Sequence, residues 1–83
     1  MTEKLIKTTF GDTLRKKRSK LHRTKQDIAL HCETSTRYYQ YLEKGSYSPS
    51  LTTIFKLAEA FDVAPEELIN DSWKAWKKDK KNR

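Results

Sequence analysis

Apolar residues recur at helical spacing through most of the chain, and short polar stretches separate the runs. Phe10, Leu14 and Leu21 repeat at four and seven residues, which predicts a first helix over about residues 10–21. The broadest apolar face belongs to the segment 51–61, so this segment is expected to be the most buried helix. No segment alternates between apolar and polar residues as a strand does. The pattern therefore predicts an all-α chain.

Capping residues mark the boundaries of the other helices. Thr24 and Ser35 are good N-cap residues, and Gly45 is a natural residue to end the helix that Ser35 begins. Ser50 precedes a fourth helix, and Pro65 followed by two glutamates marks the start of a fifth. The apolar run after Pro65 either continues as one helix or breaks to give a short extra C-terminal helix. The sequence thus predicts a compact five-helix domain.

The length allows one small domain, because 83 residues cannot build two separate cores. We expect residues 1–8 to form a frayed leader, residues 9–70 the folded domain, and residues 71–83 a basic extension that ends in a disordered tail. A single core of this size is marginal, so dimerisation would add stability.

Charge is unevenly distributed around a formal net charge of +7. Residues 1–23 carry eight Lys or Arg against two acids, and residues 71–83 carry six against two. Residues 46–70 carry one base against four acids. A basic balance suggests a polyanionic partner such as nucleic acid, although charge alone fits a solubilising surface equally well.

Several classes of protein are disfavoured by what the sequence lacks. Cys32 is the single cysteine, which excludes an intrachain disulfide and fits a reducing cytoplasm. The N-terminal stretch has no apolar h-region, and no apolar run is long enough to span a bilayer. His22, His31, Cys32 and Glu33 lack the spacing of a metal site, so Cys32 is interpreted as a small core residue. No catalytic spacing is evident either, so we expect no enzyme activity, no cofactor and no small-molecule ligand.

The stretch STRYYQYLEKG, residues 35–45, divides into two faces on a helical wheel. The inner arc holds Tyr38, Tyr39, Leu42 and Glu43. The outer arc holds Thr36, Arg37, Gln40, Tyr41 and Lys44. The tyrosines are therefore not expected to act together. Two short helices joined by a tight turn, the second with an outer face rich in hydrogen-bonding groups, are typical of a helix-turn-helix.

The sequence resembles the lambda-repressor/Cro type of helix-turn-helix domain, the Xre-like group. The resemblance rests on Ala29, on the segment 42–45 that closes the third helix, and on the segment 49–51 that opens the fourth. It extends over residues 10–69. It implies a lambda-repressor-like fold, a double-stranded DNA partner and a cytoplasmic protein of bacterial or phage type, associated with the nucleoid.

The resemblance also implies roles for particular residues. The base-reading positions are held by Thr36, Arg37, Gln40 and Tyr41. The phosphate-binding positions are held by Lys25, Ser35, Lys44, Ser46 and Tyr47. Arg18 and Glu43 match a structural ion pair between the first and third helices. Arg37 would donate two parallel hydrogen bonds to guanine, Gln40 would pair with adenine, and Thr36 would touch a thymine methyl group.

Three residues depart from the family pattern. Glu33 stands where the family favours glycine in the turn, and a left-handed backbone there would cost a glutamate about 1 kcal/mol. Tyr39 replaces a small aliphatic residue on the inner face, and Arg23 replaces an apolar one. These departures put the fine geometry of the turn in question more than the fold.

Four apolar residues near the C-terminal end suggest a dimer contact, namely Leu68, Ile69, Trp73 and Trp76. The alternative is that the tryptophans close the domain's own core. We predict a sequence-specific, duplex DNA-binding transcriptional regulator, a repressor rather than an activator, that acts as a homodimer with residues 35–44 as the recognition helix in the major groove. The competing hypothesis is an antitoxin-like or coactivator-like module that mainly binds a protein partner. Binding to a membrane or to calmodulin is disfavoured because the basic ends lack a wide apolar face.

Overall fold

Five helices account for most of residues 2–81, the part of the chain that the computed structural model describes. They are α1 (Thr2–Lys20), α2 (Lys25–His31), α3 (Thr36–Lys44), α4 (Leu51–Phe61) and α5 (Pro65–Lys81). Residues 2–81 contain no strand, so the all-α, five-helix prediction is confirmed. Within the same residues, no helix has both the length and the apolar character needed to cross a membrane.

One core collects buried side chains from all five helices. Its largest fully buried members are Leu14, Ile28, Tyr39, Leu42, Leu57 and Leu68. Two sequence expectations fail at its edges. Leu21 is 45% exposed because α1 ends at Lys20 and the chain then turns away, and Phe55 of α4 is 50% exposed. The broad apolar face of α4 is therefore only partly covered.

The predicted N-caps are present at α2, α3 and α4. Thr24 forms a capping box with Asp27, whose backbone N–H donates to the Thr24 hydroxyl at 3.1 Å. The hydroxyls of Ser35 and Ser50 accept from backbone N–H groups one turn further on, at 3.0 and 3.1 Å. Each such cap stabilises its helix by about 1 kcal/mol.

The first four helices end in the same hydrogen-bonding pattern. In each, a left-handed residue follows the helix, and the next N–H donates to a carbonyl five residues back, as in a Schellman motif. The left-handed residues are His22, Glu33, Gly45 and Asp62. Only Gly45 adopts this backbone without a steric penalty, which is about 1–2 kcal/mol for other residues. Glu33, with φ of 55°, keeps the turn geometry for which glycine is best suited.

The N-terminal segment differs from the frayed leader predicted for residues 1–8. Residues 2–8 are the first two turns of α1, and Met1 lies outside the described residues. The reason is that α5 lies alongside this segment. The Ser72 hydroxyl donates to the carbonyl of Ile6 at 3.0 Å, and the Thr2 hydroxyl donates to the Asp79 carboxylate.

The C-terminal segment also differs from the prediction of a loose extension from residue 71. α5 is one continuous helix from Pro65 to Lys81, without a separate sixth helix in the described residues. No glycine or proline interrupts it after Pro65. Ile69, Trp73 and Trp76 keep one helical phase, four and seven residues apart. The last two residues of the predicted disordered tail, at positions 82 and 83, lie outside the described residues.

Candidate nucleic-acid interface

The position of α3 is fixed first by a close backbone crossing with α1. Gly11 is buried, and a Cβ atom there would lie 2.3 Å from the carbonyl oxygen of Glu43 and 2.7 Å from that of Leu42. A Cβ atom on Gly45 would lie 2.8 Å from the Cα atom of Thr8. Both glycines of the chain therefore allow α1 and α3 to approach closely at the same crossing. Helical periodicity alone does not predict this close approach.

Arg18 and Glu43, paired by the family resemblance, form a two-point ion pair at this crossing. The Arg18 Nε donates to Glu43 Oε2 at 2.7 Å, and Nη2 donates to Oε1 at 3.2 Å. The remaining Nη1 donates to the carbonyl of Arg23 at 3.1 Å. The hydrogen bond that Arg18 donates to Glu43 raises the pKa of Arg18 against the opposing effect of burial. One guanidinium thus joins α1 to α3 and to the chain that enters α2.

Tyr39 fills the space between this ion pair and the core. Its side chain is fully buried, and burial, followed by interaction with Glu43, raises the pKa of its hydroxyl. Its hydroxyl is buried near the Arg18–Glu43 pair but makes no hydrogen bond within the described residues. The helix-turn-helix keeps its two helices and its turn although a tyrosine stands here in place of a small aliphatic residue.

The outer face of α3 presents the residues that the resemblance assigned to base reading. Arg37 and Gln40 are exposed, and Thr36 and Tyr41 are half-buried on the same surface. The inner face is covered, since Tyr39 and Leu42 are fully buried. α3 therefore shows solvent a guanidinium, an amide, a hydroxyl and a phenol, which are the groups that hydrogen-bond to base edges.

The loop after α3 folds back over the outer end of the helix. The Tyr47 ring stacks on Tyr38 with centroids 6.0 Å apart and meets the edge of Tyr41 at 5.3 Å. The expectation that the tyrosines do not act together is therefore wrong. Tyr38 and Tyr41 lie on different arcs of the wheel but are three residues apart, so one ring from the loop contacts both.

The residues implied in phosphate binding precede α3 in the chain or lie at and after its C-terminal end. Lys25 is half-buried in the first turn of α2, and Lys44, Ser46 and Tyr47 follow one another at the end of α3. The Ser35 hydroxyl already accepts the N-cap hydrogen bond, and its own proton remains available for donation. The side chains of all five residues belong to the helix-turn-helix and the loop that follows it.

The electrostatics of this surface favour an anion. Between residues 34 and 50 the only acid is Glu43, whose side chain is 4% exposed and paired with Arg18. Arg37 and Lys44 are thus exposed cations without a neighbouring exposed carboxylate in that segment. Glu33, just outside it, pairs with Lys56 at 3.8 Å.

The four residues predicted as a dimer contact do not share one environment. Leu68 is fully buried in the core, so it cannot contact a partner, and its place in that set was wrong. Ile69, Trp73 and Trp76 are 42, 54 and 36% exposed, so the tryptophans do not close the core either. Leu5, from the extended α1, adds a further exposed apolar side chain at 40%.

Cys32 occupies the core position that the sequence predicts. It is buried beside α4, and burial raises the pKa of its thiol to about 11, so the thiol stays protonated at neutral pH. Within residues 2–81, no three side chains of His, Cys, Asp or Glu are grouped closely enough to hold a metal ion.

The fold and this surface define the class of protein. A helix-turn-helix family profile matches residues 14–68, which contain the complete helix-turn-helix together with α4. The chain belongs to the helix-turn-helix family, in its lambda-repressor-like, Xre-type branch.

Similar proteins agree with this assignment. An uncharacterised HTH-type transcriptional regulator of Archaeoglobus fulgidus is 32% identical over 62 residues, 74% of this chain and 87% of the relative. Control protein C.BamHI of Bacillus amyloliquefaciens is 30% identical over 66 residues, 78% of this chain and 82% of that protein.

Solved structures extend the comparison. The restriction-modification controller protein C.AhdI of Aeromonas hydrophila is 33% identical, with a TM-score of 0.72 over 74% of this chain and 92% of that one. The clp gene regulator ClgR of Corynebacterium glutamicum shares the fold, with a TM-score of 0.77 at 20% identity over 86% of this chain and 92% of the other. The chain is a DNA-binding transcriptional regulator.

Proposed function

We propose that this regulator recognises a specific duplex sequence by placing the outer face of α3 in the major groove. The observation that carries the proposal is the division of α3 into two faces. Tyr39 and Leu42 are fully buried, whereas Arg37 and Gln40 are exposed on the opposite side. A helix fixed by its inner face can present its outer face to the bases in a constant orientation.

Arg37 is the residue proposed to read a base pair. A guanidinium donates two parallel hydrogen bonds to O6 and N7 of guanine, and such a contact discriminates by about 1–3 kcal/mol. Gln40 and Thr36 lie beside it for contacts with adenine and a thymine methyl group. Tyr41 belongs to the same surface.

A second set of residues is proposed to bind phosphates and carries no sequence information of its own. Lys25 supplies a charge at the start of α2, and Lys44 supplies one at the end of α3. Ser35, Ser46 and Tyr47 supply hydroxyl groups. Together these contacts would set the register of α3 on the duplex.

Selection from random duplex DNA at fixed salt, followed by affinity measurements on point variants, tests both roles. We expect Arg37→Ala to relax specificity at one base pair, by roughly 5- to 150-fold in relative affinity. Lys25→Ala should weaken all sequences alike and lower the slope of log affinity against log salt by about one.

A matched control is Arg15→Ala, since Arg15 is an exposed arginine of α1 that pairs with Asp12. It should leave the base preference unchanged. Equal losses on specific and random DNA for Arg37→Ala would contradict its role in base readout.

We also propose that the regulator binds as a homodimer through the stripe formed by Ile69, Trp73 and Trp76 on α5. The charges along α5 support a second copy as the partner. Residues 65–73 carry three acids and no base, whereas residues 74–81 carry five lysines and one acid. Two antiparallel copies of α5 would place the acidic half of each against the basic half of the other. Such twofold symmetry suits two half-sites about 34 Å apart.

The dimer is tested by sedimentation as a function of concentration. Trp73→Ala should weaken self-association by at least roughly 30-fold, as expected for a central aromatic contact. On the helical wheel Glu66 and Lys80 lie on the same face as the stripe. Glu66 lies beyond its N-terminal end and Lys80 beyond its C-terminal end. Glu66→Lys should weaken the dimer severalfold, and adding Lys80→Glu in the same chain should restore it.

Failure of that rescue would contradict the antiparallel arrangement. A chain that stays monomeric both free and on a selected site would contradict the homodimer and would favour a different protein on the α5 stripe. The mass of the complex with DNA separates these outcomes.

Repression is the proposed mode of action. It requires only that the DNA-binding surface occupy a promoter, whereas activation needs a further contact with the transcription machinery. Transcription from a template that carries the selected site should fall as the regulator is added. A rise would contradict repression and leave the DNA-binding proposal intact.

A further inference from the structure

The guanidinium of Arg37 makes a hydrogen bond within its own helix. Its Nε donates to the hydroxyl of Tyr41, one helical turn along α3, at 3.1 Å. The same tyrosine ring also lies 5.7 Å from the guanidinium carbon. A single side chain therefore contacts Arg37 both through a hydrogen bond and through its π face.

This hydrogen bond leaves the two terminal nitrogens of the Arg37 guanidinium free to donate to a base. Of the five N–H donors of a guanidinium, one belongs to Nε and four to the terminal nitrogens. With Nε occupied by Tyr41, both terminal nitrogens remain for an end-on pair of hydrogen bonds to guanine. An arginine held in this way also loses less side-chain entropy on binding than one that is free to rotate.

Tyr41 is itself supported from the loop. Tyr47 meets it edge to face at 5.3 Å with an interplanar angle of 83°, and Tyr47 stacks on Tyr38 with an interplanar angle of 18°. On the same ring, the Lys44 Nζ lies 5.9 Å from the centroid. The ring of Tyr41 thus contacts Tyr47 of the loop after α3 as well as side chains of its own helix.

We propose that Tyr41 and Tyr47 are positioning residues that set base specificity through Arg37. Tyr41 then makes no base contact of its own, and Tyr47 acts through its ring, which leaves its hydroxyl for a phosphate. This proposal rests on the proposed function, because it gives Arg37 the base contact. Tyr41 would orient the guanidinium, and Tyr47 would hold Tyr41. The loop after α3 would then influence sequence preference without touching a base.

The first part of the test uses the free protein. In Tyr41→Phe the ring is kept and the hydroxyl acceptor is removed. The Arg37 Nε–H resonance should exchange with water more slowly in the parent than in Tyr41→Phe. Tyr47→Leu should speed this exchange, whereas Tyr47→Phe, which keeps the ring, should not. Equal exchange in the parent and in Tyr41→Phe would overturn the positioning role whatever the DNA measurements give.

The second part is a double-mutant cycle on DNA. Tyr41→Phe alone should lower discrimination at the Arg37 base pair by roughly three- to tenfold, the worth of one hydrogen bond, with random-DNA affinity unchanged. In the Arg37→Ala background, Tyr41→Phe should cause no further loss. Additive losses would mean that Tyr41 contacts the base itself and would overturn the proposal.

The two levels of failure are distinguishable. If Arg37→Ala leaves discrimination unchanged, the base contact of the proposed function is wrong, and the specificity role of the tyrosines falls with it even where the exchange data show Arg37 held. If Arg37→Ala lowers discrimination but Tyr41→Phe does not, only the positioning role is overturned.

Discussion

Helix α1 makes two contacts of opposite character. Its contact with α3 is a backbone crossing at Gly11 that is sealed by the buried Arg18–Glu43 pair. Its contact with α5 is the more extensive of the two, with Leu68 of α5 fully buried in the core and polar pairs at the edge that reaches solvent. There, the Lys17 Nζ lies 3.8 Å from a carboxylate oxygen of Glu67, which is more than half exposed.

The difference separates two tasks. Two helices that cross at backbone distance can pack in only one relative orientation. The crossing therefore fixes the orientation of α3 and the direction in which α3 presents its outer face. The α5 side packs over a larger surface, has an exposed ion pair at its edge and keeps a stripe of exposed apolar surface. The backbone crossing therefore lies where orientation matters for DNA, and the exposed apolar stripe lies where a partner is proposed.

The largest expected effect comes from closing the α1–α3 crossing with a methyl group. An alanine in a helix is normally favoured over glycine by about 1 kcal/mol. Gly11→Ala should instead destabilise the fold by about 3 kcal/mol or more, because the new Cβ would meet two backbone carbonyls that have no room to move. Thermal unfolding followed by circular dichroism measures this.

A matched control for that prediction is Ser19→Ala, at an exposed position of the same helix. It should change stability by no more than about 0.5 kcal/mol. A stable Gly11→Ala variant would mean that α1 and α3 are further apart than described.

Alkaline titration examines the core at Cys32, the C-cap of α2, without disturbing the crossing. Burial raises the pKa of Cys32 from 9.0 to about 11. Below pH 9 both states keep the proton. Between pH 9 and 11 the unfolded chain releases it first, so the free energy of unfolding falls as pH rises, by up to roughly 2–3 kcal/mol.

The measurement is urea unfolding from pH 8 to 10. In this range the thiol of the unfolded chain loses its proton. The phenol of an unfolded Tyr39 has an ordinary pKa of 10.0, so most of its contribution comes at higher pH. Cys32→Ala should flatten the decline over this interval. An equally steep decline in that variant would rule out Cys32 as its source.

The two ion pairs that join α1 to α3 and to α5 provide a direct comparison between these contacts. Glu43→Gln leaves Arg18 unpaired with its side chain 17% exposed, and should cost about 1–2 kcal/mol because the guanidinium still reaches some water. Glu67→Gln removes an exposed pair and should cost no more than about 0.5 kcal/mol, an effect that high salt abolishes. Chemical denaturation at low and high salt checks both. Equal costs would remove the contrast between the two contacts.

The smallest effect concerns the turn between α2 and α3, in which Glu33 lies. Glu33 adopts a left-handed backbone, so Glu33→Gly should stabilise the fold by about 1 kcal/mol. Asp62→Gly is the matched control at the end of α4, and it should gain less because aspartate tolerates this backbone better. A loss of stability in Glu33→Gly would mean that the glutamate side chain contributes more than its exposed pairing with Lys56 suggests.

Local signals in the sequence were sufficient to predict most of the fold. Thr24, Ser35 and Ser50 begin their helices by hydrogen bonds within one turn, and such short-range chemistry can be recognised from residue type and spacing. The two faces of α3 followed from helical periodicity in the same way. The pairing of Arg18 with Glu43 came from the family resemblance rather than from periodicity.

Features that depend on distant parts of the chain were missed. The first turns of α1 are helical because Ser72 and Asp79, more than sixty residues away, lie beside them. From the sequence alone, Gly11 is an unfavourable residue within a helix. Its role is evident only from the close packing of α3 against it. Tyr47 is a loop residue whose contacts with Tyr38 and Tyr41 depend on how the loop folds back. In each case the deciding neighbour is set by tertiary packing.

The stripe on α5 has an optical consequence. Trp73 and Trp76 are the only tryptophans in the chain, and both lie on that stripe. Indole fluorescence shifts to shorter wavelength when water is excluded from the ring. The intrinsic emission of the unlabelled protein therefore reports on whatever covers this one face, while α3 and its tyrosines can be occupied by DNA without adding a second tryptophan signal.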